Sequence, residues 1–149
     1  MDTEVRFRAI DRDELARVLA AGLDHGGNAI EPFVDADGGW TMRCCLTDST
    51  PGDRIALIAW SPFRWDGPYR ETGPVVVHAD DCPRAGELRR LPPSIDQRSM
   101  ELRPYTIDRR IAYDHVRHVP ANDSVTEHVQ ALFEHDEVDF VHGRNMHGG

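Results

Sequence analysis

Among the eight histidines and three cysteines of this chain, the candidates for a nucleophilic thiolate are Cys82 and Cys45, and Cys82 has a histidine nearby in sequence. His78 and Cys82 can face one another across a tight loop, the arrangement in which an imidazole takes a thiol proton. No recognised nucleophile motif surrounds Cys82, so that thiol is expected to be dispensable. Cys44 and Cys45 are adjacent, and a bridge between them would be a strained ring. They read instead as small apolar side chains alternating between core and surface along a strand.

The histidines do not fall at metal-ligand spacings. His115 and His118 are three apart, which on a strand places them on opposite faces. His128 and His135 are seven apart, too far for joint ligation, and His135-Asp136-Glu137 looks like a frayed helix end. No Cys-x-x-Cys occurs, so neither a metal site nor a cofactor is expected. The best-placed histidines are His78 and His142, each just past an apolar run, where a sheet edge can bring them together as a hydrogen-bonding pair or as a general acid or base.

A second chemistry comes from arginine. All 17 basic residues are arginine, which removes Schiff-base chemistry and the phosphate-binding lysine of nucleotide loops. Gly-x-Gly-x-x-Gly, Gly-x-Ser-x-Gly and His-Glu-x-x-His are also missing. Arg64 and Arg70 stand among Phe63, Trp65 and Tyr69 in the loop 61–73, and Arg144 follows the last apolar run. Planar guanidinium groups beside aromatic rings suit capture of a carboxylate or phosphate. Arg70, Tyr69, His142, Arg144 and Asn145 are therefore the candidate binding residues for a small anionic or polar ligand beneath the loop 61–73. The alternatives are a small enzyme using His78 or His142 as general acid or base, and a protein-interaction domain pairing through an edge strand or the loop aromatics. The competing structural role for Arg70 is an internal clasp on the loop, paired with Asp66, Glu71 or a ring.

These side chains need a frame. Ile55–Ala59 is apolar on both alternating faces and reads as a strand covered on both sides, Val75–Val77 is a shorter run of the same kind, and the turn cluster at 47–53 makes 40–60 a hairpin-like unit. Val5–Ile10 alternates like a half-buried strand. A helix follows, opened by Asp11 with Glu14 and closed at Gly22. Ala29–Val34 reads as an edge strand because of Pro32, and Trp40–Leu46 as a further strand. Pro92-Pro93 should break any helix between Glu87 and Ser99. Strands at Met100–Ile107 and Ile111–Val119, a helix capped by Ser124 and Glu127, and a last strand Val138–His142 complete the reading. The expected fold is one α+β domain over residues 1–149, a mostly antiparallel sheet of six or seven strands with two helices packed on it.

The order of several short segments is familiar: Arg43-Cys-Cys-Leu with Asp48 and Pro51-Gly52, Pro68-Tyr69-Arg70 with Gly73-Pro74-Val75, Leu102-Arg103 with Tyr105, and Val141-His142 with Asn145. From about Val5 to Asn145 the chain resembles a bacterial family known as domain of unknown function 1203. The resemblance implies a single small bacterial domain without an assigned activity. Many members of that family carry a cysteine where this chain has Met42, and many continue into Gly-Cys where it has Gly148-Gly149. A family nucleophile at either position would be missing in this member.

Composition bounds the partners. A net charge of −9 opposes non-specific binding to nucleic acid or an anionic membrane. The basic block at 84–118, eight arginines against five carboxylates, reads as a solvated mixed-charge surface. No apolar run approaches the roughly 20 residues of a membrane span, and the N-terminus lacks a secretory pattern, so the expected location is cytoplasmic. Nothing in the sequence sets an oligomeric state.

Overall fold

The computed structural model describes residues 4–82 and 86–145. Pro83 to Ala85 of the loop after His78, and the Gly148-Gly149 ending, lie outside the described residues. In chain order the elements are β1 (Phe7–Arg8), α1 (Arg12–Ala21), β2 (Phe33–Val34), β3 (Thr41–Met42), β4 (Thr47–Asp48), β5 (Arg54–Trp60), β6 (Gly73–His78), β7 (Glu87–Leu88), α2 (Pro93–Asp96), β8 (Met100–Tyr105), β9 (Arg117–Val119), α3 (Val125–Leu132) and β10 (Phe140–Asn145), with a 3₁₀ turn at Tyr113–His115. No described helix is long and apolar enough to cross a membrane.

The α+β class holds, but the single sheet of six or seven mostly antiparallel strands does not. The described strands form three sheets: β1 with β7, β10-β8-β9, and a five-stranded sheet ordered β2-β5-β6-β3-β4. The largest is mixed, because β3 runs parallel to β6 at Met42↔Val76. Three α-helices are present among the described residues rather than two. Pro93 starts α2 instead of preventing it, since a proline at the first helical position lacks only an N–H that has no intrahelical partner there.

Two compact units are distinguishable. One runs from Arg8 to Arg64 and from Arg70 to Leu88; the other takes in the chain up to Phe7, Trp65–Tyr69 and everything from Arg89 on.

In the first unit β5 and β6 pair antiparallel from Ile55↔His78 to Trp60↔Gly73, joined by the irregular loop between them. Ile55, Ala56, Ile58 and Trp60 are buried with Met42, Cys44, Cys45, Val76 and Val77, and Leu15 of α1 packs on this core. The expectation of a strand covered on both faces is corrected at Leu57, which is 58% exposed. Helix α1 starts where Asp11 accepts the Glu14 N–H at 3.1 Å. It stops at Gly22, left-handed at φ 76°, whose N–H returns to Val18 O. The run 40–46 is not one strand: after β3 the chain turns at residues 43–46, with Leu46 left-handed at φ 56°.

The second unit packs α3 on β10-β8-β9. Met100, Leu102 and Val119 are buried against Val125, Val129 and Leu132. The N-terminus of α3 is tied down by a carboxylate from α2. Asp96 accepts from Thr126 N at 2.7 Å, Thr126 Oγ1 at 2.5 Å and Ser124 Oγ at 2.8 Å. Ser124 Oγ in turn accepts the Glu127 N–H, the expected cap.

Candidate functional site

Because β3 and β6 run side by side in the same direction, their C-terminal ends lie together. The turn after β3 carries Cys44 and Cys45, and the last residue of β6 is His78. Arg43 N donates to Val76 O at 2.9 Å, which holds the turn against the strand. The result is contact between residues more than thirty apart in sequence: Cys44 Sγ lies 3.2 Å and Cys45 Sγ 3.9 Å from His78 Nδ1. Cys44 Sγ also accepts the His78 backbone N–H at 3.2 Å, and Cys45 Sγ is 3.0 Å from Thr47 Oγ1.

Cys82 completes the group. The segment after β6 is held by Ala79 N to Arg54 O at 3.0 Å, by Arg54 on Asp80 at 2.7 Å, and by Arg12 of α1 gripping both oxygens of Asp81 at 3.0 and 2.5 Å. One donor atom each from Cys44, Cys45, His78 and Cys82 lies within 4.8 Å of every other. Cys44 and Cys45 are buried and Cys82 is half-buried. Cys44 and Cys82 also line a largely apolar cleft of about 180 Å³ against Leu15 and Leu19.

The far nitrogen of His78 has its own partner: Nε2 is 3.2 Å from Asp53 Oδ2. Asp53 is itself positioned by the Thr50 N–H at 2.8 Å and the Thr50 hydroxyl at 3.0 Å. The Thr50 N–H, His78 and the Thr50 hydroxyl hold its carboxyl below the usual aspartate range. A carboxylate on Nε2 favours the tautomer with the proton there and the lone pair on Nδ1, facing the sulfurs. Burial pushes the Cys44 thiol strongly upward, the His78 N–H opposing it. Bare thiolate is therefore costly at Cys44 unless a cation compensates it.

A family model described as a protein of unknown function, DUF1203, matches residues 39–149. The chain belongs to the DUF1203 family. The matched span contains Cys44, Cys45, Asp53, His78 and Cys82. Neither a curated protein nor a solved structure matches the chain.

The residues proposed for a ligand in this DUF1203 chain are distributed over both units. Arg70 belongs to the unit of β5 and β6, where its Nε donates to Ser61 Oγ at 3.2 Å; Tyr69, His142, Arg144 and Asn145 belong to the other. Tyr69 meets Tyr113 edge-on, ring centroids 6.2 Å apart. On β10, His142 lies opposite Arg103 and Arg144 opposite Glu101, so these four side chains share one face of the sheet. Asn145, opposite the buried Met100, is on the other face. His142 sits against the rings of Tyr105 and Phe140, at 5.0 and 5.1 Å. His78 and His142 thus lie in separate units, each with its own surroundings.

The sequence singled out His78 and Cys82 but missed Cys44, Cys45 and Asp53 as their neighbours. The reading of the vicinal cysteines as alternating along a strand is corrected: both are buried because they sit in a turn. The parallel register at Met42↔Val76 is what joins them to His78, and no linear spacing encodes it.

Proposed function

We propose that this DUF1203 protein binds a soft divalent metal ion of the zinc class through Cys44, Cys45, His78 and Cys82. The observation that carries the reading is the convergence of three thiols on the one imidazole nitrogen that Asp53 leaves available. With Zn–S of about 2.3 Å and Zn–N of about 2.0–2.1 Å, neighbouring donors on a tetrahedron stand roughly 3.6 Å apart. The sulfur-to-nitrogen distances of 3.2 and 3.9 Å bracket that value. Three sulfurs and one nitrogen make a closed set, the pattern of structural rather than catalytic zinc. Such an ion would tie together the turn 43–46, the end of β6 and the segment carrying Cys82. Asp53 would act as the outer partner that orients the ligating histidine.

Elemental analysis of protein purified without an affinity tag tests this. About one zinc per chain is expected, with Cys44→Ser and His78→Gln each depleting it, and cobalt substitution should give an intense thiolate-to-cobalt absorption. Negligible metal after growth in zinc, together with no such absorption, would overturn the proposal.

A second reading, a small anionic or polar ligand, is supported by the face that carries His142, Arg144 and Arg103 beside Tyr69 and Tyr113. The Arg103 charge acts on the Tyr113 phenol, whose hydrogen bond with Tyr69 raises its pKa. Phosphate or sulfate is expected to raise the melting temperature, and Arg144→Ala to abolish that rise. Arg70→Ala should behave differently, losing about 0.5–1.5 kcal/mol in urea titrations with or without anion, because it removes the hydrogen bond to the buried Ser61. A melting temperature indifferent to anions would dispose of this reading.

A further inference from the structure

The second unit brings together a different donor set. His115 ends the 3₁₀ turn before β9, its N–H on Ala112 O at 3.0 Å. His135 and Glu137 lie in the turn that follows α3, where His135 N bonds Leu132 O and Val138 N bonds His135 O, both at 3.1 Å. His115 Nε2 contacts Glu137 Oε1, and the two imidazoles stack with centroids 3.9 Å apart and planes 22° from parallel. One donor atom from each of the three residues lies within 4.8 Å of the other two. Sequence spacing alone hid this trio, since His115 was paired with His118 on a strand and His135 with His128 on a helix. Neither element extends that far.

We propose that His115, His135 and Glu137 form a second metal site, separate from the thiol cluster, that takes a borderline divalent ion such as nickel, cobalt or zinc. An ordinary His115–Glu137 ion pair needs only one imidazole. The stacked His135 ring adds only a minor charge effect on Glu137 but supplies a second nitrogen donor within 4.8 Å of the other two. Two imidazoles and one carboxylate suit nitrogen- and oxygen-seeking transition ions and leave coordination positions for water. The side chains are reachable, His115 being 20% and Glu137 54% exposed. The two histidines are each anchored through a backbone turn, which limits the ordering needed on binding. The field also favours a cation: residues 119–149 carry six carboxylates and one arginine.

The test is calorimetric titration of nickel into full-length, tag-free protein dialysed to one zinc per chain, the amount the thiol cluster alone would retain. One further nickel per chain is expected to bind. His115→Ala and His135→Ala should each weaken it by more than about tenfold, since loss of even an outer partner of a ligand typically costs that much. Glu137→Gln should weaken it in the same direction, whereas His128→Ala should leave it unchanged, because His128 bonds with Asp123 and Arg117 instead. Circular dichroism of each variant verifies the fold, and a His135→Gln variant repeats the measurement if His135→Ala unfolds. Nickel binding that survives His135 substitution, or its absence from the parent protein, would overturn the proposal. In Cys44→Ser protein the nickel event should persist, which keeps its failure distinct from failure of the thiol site.

Discussion

Removing metal with a strong chelator is expected to lower the melting temperature sharply and to make Cys44, Cys45 and Cys82 accessible to thiol reagents. A ligand that binds only the folded state stabilises it by about 4 kcal/mol when its free concentration is 1,000 times its dissociation constant, and structural zinc commonly exceeds that ratio. The thiol contacts at Cys44 and Cys45, to His78 and Thr47, are weak hydrogen bonds compared with metal–thiolate bonds. The turn 43–46 contains the left-handed Leu46, and the Cys82 segment is fastened mainly by the exposed Arg12–Asp81 and Arg54–Asp80 pairs, of a kind that contributes little in water. Asp53→Asn is the gentler companion variant. It keeps the shape but weakens the group on His78 Nε2, and should reduce metal affinity about 10–100-fold while leaving the fold intact. Identical melting curves and thiol reactivity before and after chelation would remove the thiol cluster from consideration.

The second large effect is expected from Asp96→Ala in the other unit. The carboxylate is buried and receives three hydrogen bonds, two of them from Thr126, which has no exposed surface. Deleting it strands the Thr126 N–H and hydroxyl in the interior and unties α3 from α2. Bonds to charged acceptors contribute about 1.5–3 kcal/mol, so a loss of about 3 kcal/mol in urea denaturation is expected. The acid dependence has a definite sign. Burial works against the charge, but the Thr126 and Ser124 bonds hold the Asp96 pKa below the ordinary value. Its contribution is therefore full above the unfolded aspartate pKa of about 3.9 and is lost as pH falls through the lower folded value. Asp96→Ala should flatten that acid limb; a steep limb in the variant would place the acid sensitivity elsewhere.

What could be read in the sequence follows from how local the cause is. Helix α1 was legible from Asp11 and Gly22, and α3 from Ser124, because a cap acts within four residues of itself. The apolar runs in 54–60 and 73–78 were legible as strands, but their partners were not: the turn cluster at 47–53 suggests a hairpin-like unit over 40–60, whereas β5 lies between β2 and β6. Strand extent was less so: only Phe7–Arg8 of the alternating run 5–10 is strand, and only Thr41–Met42 of 40–46. The thiol cluster escaped because its cause is a parallel neighbour brought in from the far side of β6, and apolar periodicity carries no information about which strand lies next to which. The arginines and aromatics of 61–73 were correctly seen as a loop without regular structure.

The placement of β3 beside β6 also orders events in time. Residues 41–42 come before β5 in the chain yet pair in parallel with β6, at Met42↔Val76, across the whole of β5 and its loop, a non-local and therefore slow contact to form. The four donors cannot meet earlier than that. An ion held by them would arrive at a frame already built, leaving the rate of folding almost untouched while slowing escape from the native state, as interactions absent from the transition state do.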